Sequence, residues 1–287
     1  HGGTMERCEF EVEAGLVLVA DRFPAQGARR GAVLLAHGGG QTRHAWGGTA
    51  RALAAGGFEA LSLDLRGHGE SGWARDGDYG TERFAADLVT VARRVDGPVA
   101  LVGASLGGLA GMLAAGELAP DAFSRVVLVD VTPRLEPEGV AGIVGFMRAD
   151  LERGFGSLEE AADAIERYLP HRRGRRNPEG LRKNLRRDED GRWRWHWDPR
   201  FMTAPRDEDD PERRTARLER ALGAVTVPLL LVRGRTSELV SEAGVEAFLR
   251  CAPAARFVDV ADAGHMVAGD RNDAFTDAVR AFLGEAA

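Results

Sequence analysis

Residues 99–118 read VALVGASLGGLAGMLAAGEL. A short apolar run from Val99 to Val102 is followed by a turn with several glycines and then by a second apolar run. The most apolar window, from Pro98 to Gly116, is about as long as a membrane span, but its glycines and Ser105 interrupt it. A buried strand, a tight turn and a helix explain it better, so we predict no membrane-spanning segment here.

Five further short apolar runs resemble the one at 99–102. They lie at residues 32–36, 60–63, 126–129, 229–232 and 257–260. Near-continuous Val/Leu runs of this length are what a parallel strand buried on both faces requires. Helix-period stretches lie between them, at 49–55, 81–95, 106–118, 242–250 and 272–283. This alternation predicts the α/β class with a mostly parallel, doubly wound sheet, preceded by an antiparallel hairpin at 9–12 and 16–19.

The alternation stops between Pro133 and Leu222, where few strand-like runs occur. The run Ser157-Leu158-Glu159-Glu160 is a capping box that opens a helix, and Pro170 ends that helix. We therefore predict a helical lid at residues 133–222, hereafter the inserted segment. It would cover the carboxyl edge of a sheet built from residues 5–132 and 223–287. Residues 1–4 precede Met5 and look like an expression scar.

Gly103-Ala104-Ser105-Leu106-Gly107 forms a G-x-S-x-G motif at the predicted junction of strand and helix. The motif alone is weak in a chain with 37 glycines, but this context strengthens it. A turn this tight raises the Ser105 hydroxyl above the carboxyl end of the sheet. The helix N-terminus beneath it favours a developing negative charge. Ser105 is therefore the candidate nucleophile.

A base and an acid that could serve Ser105 occur elsewhere in the chain. His265 follows the last predicted strand, and an imidazole that titrates near neutrality can take the proton of the serine. A carboxylate is needed to orient that imidazole. Glu238, shortly after the penultimate strand, is the favoured carboxylate, and Asp130, at the end of the strand before the insertion, is the alternative. Both precede His265, so chain order does not choose between them.

The run His37-Gly38-Gly39-Gly40 follows an early predicted strand. Glycines at this position allow backbone N–H groups to approach a substrate oxygen closely. The N–H groups of Gly39 and Leu106 would together form an oxyanion hole, in which each donor contributes ~3 kcal/mol to transition-state stabilisation.

Four motifs together resemble those of the α/β-hydrolase superfamily. They are HGGG from His37, DLRGHGES from Asp64, GASLGG from Gly103 and DAGHM from Asp262. Within the superfamily they look like the branch of lid-bearing serine esterases, C–C hydrolases and cofactor-free haloperoxidases. The resemblance covers nearly the whole chain except the inserted segment. It implies an oxyanion donor at Gly39, an acid at Glu238 and no chemical role for His68. Aspartate is commoner than glutamate at the position of the acid, which keeps Asp130 as the alternative.

The inserted segment offers an aromatic pattern that bears on the substrate. Its tryptophans alternate in Trp193-Arg194-Trp195-His196-Trp197, which places all three on one side of an extended segment. An aromatic wall above the nucleophile would favour a small apolar or aromatic substrate, whereas the same rings could instead pin the segment to the sheet. Trp46 is a further candidate for the wall, and His44 and His196 are polar candidates for the pocket.

The composition excludes several classes of partner. There are 38 basic and 44 acidic residues and the net charge is −6, so no global positive field is present to hold nucleic acid. The two cysteines, Cys8 and Cys251, cannot build a disulfide framework or a zinc site alone. With no secretory signal pattern at the N-terminus, these features predict a cytoplasmic protein.

The sequence thus predicts a serine hydrolase without metal or cofactor that cleaves a carboxylic ester or lactone through an acyl-enzyme. Epoxide hydrolases and haloalkane dehalogenases, which resemble it in fold, carry aspartate where this chain has Ser105. Two alternatives remain open: C–C bond hydrolysis or perhydrolysis on the same residues, and a ligand receptor that has kept the hydrolase fold. The oligomeric state is not predicted.

Overall fold

A central sheet and its flanking helices account for most of the elements in the computed structural model, which describes residues 3–170, 177–203 and 210–285. Residues 1–2, 171–176, 204–209 and 286–287, which include half of the tetrapeptide before Met5 and two stretches of the inserted segment, lie outside this description. The strands are β1 (Glu6–Glu13), β2 (Leu16–Phe23), β3 (Ala32–Ala36), β4 (Glu59–Leu63), β5 (Val99–Ala104), β6 (Val126–Val129), β7 (Leu185–Arg187), β8 (Trp193–Trp195), β9 (Leu229–Gly234) and β10 (Arg256–Val260). The helices are α1 (Gly47–Ala55), α2 (Thr81–Arg93), α3 (Leu106–Leu113), α4 (Pro137–Ala149), α5 (Leu158–Tyr168), α6 (Arg200–Thr203), α7 (Pro211–Gly223), α8 (Glu242–Cys251) and α9 (Thr276–Leu283).

The sheet has the strand order β1-β2-β4-β3-β5-β6-β9-β10. β1 and β2 form the expected antiparallel hairpin, and β2 is also antiparallel to β4. Every other pair in this sheet is parallel, from β4 through β3, β5, β6 and β9 to β10. The predicted α/β class with a mostly parallel sheet is confirmed.

The inner strands are buried on both faces because apolar side chains alternate between two helical layers. Leu34 of β3 packs into the layer that contains α2 and α3, together with Phe84. Val33 and Leu35 point to the opposite layer, where Leu53 of α1 and Phe282 of α9 lie. This arrangement explains why the strands read as continuous runs of Val and Leu, with no polar alternation.

The helices agree closely with those predicted between the strands. The predicted helix at 106–118 is α-helical to Leu113 and then continues as one π-helical turn to Leu118. Among the helices that the structure describes, none is both long and apolar enough to cross a membrane.

The inserted segment begins after β6 and is only partly helical. It contains α4, α5, α6 and α7, but β7 and β8 form a small antiparallel sheet between them, in which Leu185 pairs with Trp195. The alternation of tryptophan with arginine that suggested an extended segment is the reason for this hairpin, since aromatic residues favour strands. α7 contacts α3 and α8 of the core, whereas Met147, Trp197 and Phe201 of the inserted segment pack on the loop after β3.

Candidate active site

Ser105 occupies a strained turn between β5 and α3. Its backbone has φ +48° and ψ −114°, a region that costs a non-glycine residue on the order of 1–3 kcal/mol. The N–H of Ser105 donates to the carbonyl of Val129, and its own carbonyl accepts from Gly108 and Leu109, so both sides of the turn are fixed. Position 107 also requires glycine, because a Cβ on Gly107 would lie 2.6 Å from the carbonyl oxygen of Ala36. The side chain of Ser105 remains partly exposed at the carboxyl end of the sheet.

His265 and Asp130 form a close pair beside this turn. Nδ1 of His265 lies 2.7 Å from Oδ2 of Asp130, and the two side chains are 11% and 4% exposed. The pair lines one small cavity together with Ser105. Because Nδ1 faces a carboxylate, the proton of a neutral imidazole sits on Nδ1, and Nε2 is the ring nitrogen that can accept a proton.

Asp130 is held in place by the loop that follows β9. Asp130 itself has φ +53°, which turns its side chain away from the line of β6. Oδ1 accepts from the N–H of Gly234 at 3.2 Å, and Oδ2 accepts from the hydroxyl of Ser237 at 2.9 Å. This carboxylate is therefore oriented by three donors, counting His265.

Glu238, the carboxylate favoured from the sequence, lies elsewhere. Its side chain is exposed, and it faces a cleft on the outer side of His265. Nδ1 of His265 donates its hydrogen bond to Oδ2 of Asp130 instead. The preference for Glu238 is thus corrected in favour of Asp130. The loop after β9 contributes the hydroxyl of Ser237, which donates to Asp130, and does not itself supply the carboxylate that pairs with His265.

The N–H groups of Gly39 and Leu106 are both available to an incoming oxygen. Neither makes a hydrogen bond within the described part of the chain. The neighbouring groups are occupied: the N–H of Gly107 donates to the carbonyl of His37 at 3.2 Å, and the N–H of Gly38 donates to Oε1 of Gln41 at 3.0 Å. A Cβ on Gly38 would lie 3.3 Å from the Cβ of Ser105, which shows how closely this loop approaches the serine.

The amide side chains of Gln41 and Asn272 connect this loop to the segment that carries His265. Each donates to the other, at 3.1 and 3.3 Å, and both are buried. Sequence reasoning missed this pair. Gln41 stands directly after the glycine run and could have been noticed, whereas nothing in the sequence marks Asn272.

The tryptophans do not form the single wall that their spacing suggested. Trp195 and Trp197 stack with ring centroids 5.3 Å apart and are buried. Trp193 is only partly buried and lies against the guanidinium groups of Arg182 and Arg187 instead. Trp195 and Trp197 thus pack on each other inside the inserted segment, and Trp197 also lies against Gly40 of the loop after β3.

Trp46 and His44 also lie away from the proposed pocket. Trp46 is fully buried under the sheet, and its indole N–H donates to the carbonyl of Ala36 at 3.0 Å. His44 faces a separate cavity together with Asp21 and Lys183. Neither residue lines the cavities that reach His265, which corrects their assignment as substrate-binding residues.

A cleft of about 960 Å³ leads to His265 from the surface. The inserted segment contributes Ile143, Tyr168, Leu169 and Pro170 to one wall, which is largely apolar. Tyr168 is itself stacked on Phe146 with ring centroids 4.7 Å apart. In the described residues, no group of three or more His, Cys, Asp or Glu side chains is arranged to hold a metal ion.

A serine on a strained strand-to-helix turn, next to a histidine–carboxylate pair at the carboxyl edge of a parallel sheet, defines an α/β hydrolase. The sequence model described as "alpha/beta hydrolase fold" matches residues 31–271, and the chain belongs to this family. The expected membership of the superfamily is confirmed.

Relatives are found among both characterised proteins and solved structures. The chain is 35% identical over 259 residues to esterase Rv0045c of Mycobacterium tuberculosis, covering 88% of this chain and 82% of that protein. A solved structure of the same esterase superposes with a TM-score of 0.73 at 31% identity, over 99% of this chain and 94% of that one. The chain is also 31% identical to 2-(acetamidomethylene)succinate hydrolase of Mesorhizobium japonicum, over 73% of each protein.

Proposed function

We propose that this α/β hydrolase cleaves carboxylic esters or lactones through an acyl-enzyme on Ser105. The observation that carries the proposal is the pairing of Nδ1 of His265 with Asp130 at 2.7 Å, in the cavity that Ser105 also lines. The similarity to a mycobacterial esterase supports the same reaction class. A receptor that had merely kept the fold would have no need of this complete set.

In the first half-reaction, the hydroxyl of Ser105 attacks the acyl carbon and its proton passes to Nε2 of His265. Asp130 holds the imidazole in the reactive tautomer and stabilises the imidazolium that forms. The N–H groups of Gly39 and Leu106 bind the oxyanion of the tetrahedral intermediate, and each such donor contributes ~3 kcal/mol. The imidazolium then gives its proton to the leaving alkoxide, which departs as the alcohol.

In the second half-reaction, water takes the place of the alcohol. Nε2 of His265 accepts a proton from the water as its oxygen attacks the acyl-enzyme. The second tetrahedral intermediate collapses, returns the proton to Ser105 and releases the carboxylic acid. C–C hydrolysis and perhydrolysis would use the same three residues with a different nucleophile or leaving group.

The cleft that leads to His265 supports a proposal for the substrate class. Its wall of Ile143, Leu169 and Pro170, with the ring of Tyr168 between them, suits a small apolar or aromatic acyl or alcohol group. We include a cytoplasmic location in the proposal, supported by Cys8 and Cys251, which are both free thiols.

Labelling with a fluorophosphonate, read by intact mass and peptide mapping, tests the nucleophile. We expect one adduct on Ser105 in the native enzyme and none in Ser105→Ala. Ser157→Ala, which removes a serine from the inserted segment, is the matched control and should label normally. Rapid hydrolysis of p-nitrophenyl esters by Ser105→Ala would overturn the proposal, whereas turnover confined to β-diketones, or to acetate with peroxide, would move it to one of the two alternatives.

A further inference from the structure

Three buried histidines connect the glycine loop at residues 37–40 with the turn at residues 65–69. They are His37, His68 and His196, hereafter the histidine ladder. Ring centroids are 5.1 Å apart for His37 and His68, and 5.6 Å apart for His68 and His196. The first two belong to the core of the fold, whereas His196 comes from the inserted segment.

The first ring of the ladder orients the peptide group that carries the Gly39 N–H. Nδ1 of His37 donates to the carbonyl of Gly38 at 2.7 Å. That carbonyl and the N–H of Gly39 belong to the same planar peptide unit. Fixing one therefore fixes the direction in which the other points.

The other two rings hold the next residue, Gly40, from both sides. The N–H of Gly40 donates to Nε2 of His68 at 3.1 Å, and the carbonyl of Gly40 lies 2.8 Å from Nε2 of His196. Gly40 has φ +82°, and a Cβ at this position would lie 2.9 Å from the terminal methyl of Met147. Three consecutive peptide units of the loop are thus each bound by one imidazole.

The second nitrogen of each ring binds the turn at 65–69, and this fixes the position of its proton. The contacts are Leu65 N–H to Nε2 of His37 at 3.0 Å, Nδ1 of His68 to the carbonyl of Arg66 at 2.9 Å, and Gly69 N–H to Nδ1 of His196 at 2.7 Å. Every ring accepts at one nitrogen and donates at the other, which only the neutral form can do. Burial is the main cause that lowers the pKa of His68 to about 3 and the pKa of His196 to about 4.

We propose that His196 is a positioning residue, through which the inserted segment holds the glycine loop in the geometry that directs the Gly39 N–H at the reacting carbonyl. This inference rests on the proposed function, since it assigns the oxyanion to Gly39. It links the placement of the inserted segment to the chemical step, and not only to substrate access. His68 supports the same loop from the core side.

Two substitutions of His196 separate this role from a packing role. The amide nitrogen of glutamine can replace Nε2 and keep the bond to Gly40, whereas the shorter asparagine reaches only the place of Nδ1 and keeps the bond to Gly69. With a short p-nitrophenyl ester, we expect His196→Asn to lower kcat by about 10–100-fold with KM nearly unchanged, because an oxyanion donor is misdirected. We expect His196→Gln to retain kcat within about fivefold, on the same grounds.

A second readout reports on the oxyanion directly. A trifluoromethyl ketone forms a hemiketal with the serine, and its affinity should fall in His196→Asn by the same factor as kcat/KM. Arg194→Gln is the matched control, because Arg194 is only two residues from His196. The substitution removes ion pairs to Asp188 and Asp190 and leaves Gly40 untouched. This control should lower the melting temperature without lowering the affinity for the trifluoromethyl ketone or kcat/KM.

The outcomes distinguish the two proposals. Full activity in Ser105→Ala would overturn the proposed function itself. An inactive Ser105→Ala together with equal kcat in His196→Asn and His196→Gln would overturn only the positioning role. If His196→Asn does not fold, the same pair at His68 decides: the carbonyl oxygen of glutamine can replace Nε2 toward Gly40, so His68→Gln must exceed His68→Asn in kcat, and equality would contradict the proposal.

Discussion

Nδ1 of His265 lies 2.7 Å from Oδ2 of Asp130, although 135 residues separate them in the chain. The same oxygen accepts the hydroxyl of Ser237 from the loop after β9. The acid of the proposed triad therefore stands at the end of β6, and the loop after β9 supplies a hydroxyl that orients it. Asp130 also lies three residues before the start of the inserted segment.

Exchanging the two candidate carboxylates for amides tests this assignment. Asp130→Asn places an amide opposite Nδ1 and favours the wrong tautomer of His265, so kcat should fall about 10³–10⁴-fold. Glu238→Gln removes an exposed charge at the mouth of the cleft, and should alter KM at most. Steady-state kinetics on one ester decide between them. A larger loss of kcat in Glu238→Gln would restore the assignment made from the sequence.

The two most deeply buried tryptophans differ in one respect that stability measurements can detect. Both Trp46 and Trp197 are fully buried, but the indole N–H of Trp46 donates to the carbonyl of Ala36, whereas that of Trp197 has no partner in the described part of the chain. Trp46→Phe should therefore cost about 1–2 kcal/mol more free energy of unfolding than Trp197→Phe, because it also loses a buried hydrogen bond.

Urea denaturation at pH 7 measures the loss of free energy of unfolding in each of the two variants. The activity of folded Trp197→Phe provides a control on function: its KM should match the wild type, since the ring does not line the cleft to His265. A raised KM in this variant would show that Trp197 contacts the substrate.

Tyr168 is the aromatic side chain that the cleft offers to a substrate. Its ring is half-buried on Phe146 and lines the same cleft as His265. Tyr168→Ala removes this apolar surface, so KM for phenyl esters should rise about 5–50-fold, which corresponds to about 1–2 kcal/mol of lost burial. KM for an acetate ester of a small alcohol should change much less. Equal effects on both esters would argue that the ring supports the fold of the inserted segment instead.

The inner strands were predictable from the sequence because each is buried on both faces and therefore consists mostly of apolar residues. The position of Ser105 was predictable for a related reason, since it follows directly on the buried strand β5, and His265 was predictable because it lies in the loop after the last strand, β10. The choice of carboxylate was not, because it depends on the backbone of Asp130, whose φ of +53° turns the side chain toward His265. No pattern in the sequence reports that dihedral angle.

The histidine ladder escaped prediction because it joins three segments that are far apart in the chain. The resemblance in sequence implies no chemical role for His68, which stands in an Arg-Gly-His-Gly turn, and the sequence marks His196 only as a polar candidate among tryptophans. Their function is visible only when the hydrogen bonds to Gly40 are known. The tryptophan spacing misled for the opposite reason: it correctly indicated an extended segment, but which side of that segment faces the nucleophile depends on the fold of the inserted segment.

The histidine ladder should make the stability of the protein depend on pH between about 4 and 6.5. Burial keeps His196 neutral in the folded state, with its pKa lowered to about 4 from the ordinary value of 6.5. Its contribution to stability is therefore fully present above pH 6.5 and is lost as the pH falls toward 4, because only the unfolded chain takes up the proton. The hydrogen bond to the carbonyl of Gly40 acts in the opposite direction and raises the pKa of His196, whereas the positive charge of Arg186, and His44 when protonated, lower it further.

His196→Gln cannot titrate at this position, so its free energy of unfolding should fall less steeply with decreasing pH. The difference in free energy of unfolding between the wild type and this variant should narrow by roughly 1.4 kcal/mol per pH unit below 6.5. This is the pH dependence expected when one proton is bound by the unfolded chain only. Urea denaturation at pH 7, 6 and 5 measures the gap. In Arg194→Gln, whose guanidinium does not titrate in this range, the gap should stay constant. A constant gap for His196→Gln as well would show that His196 does not stay neutral while its pair of hydrogen bonds to Gly40 and Gly69 is intact.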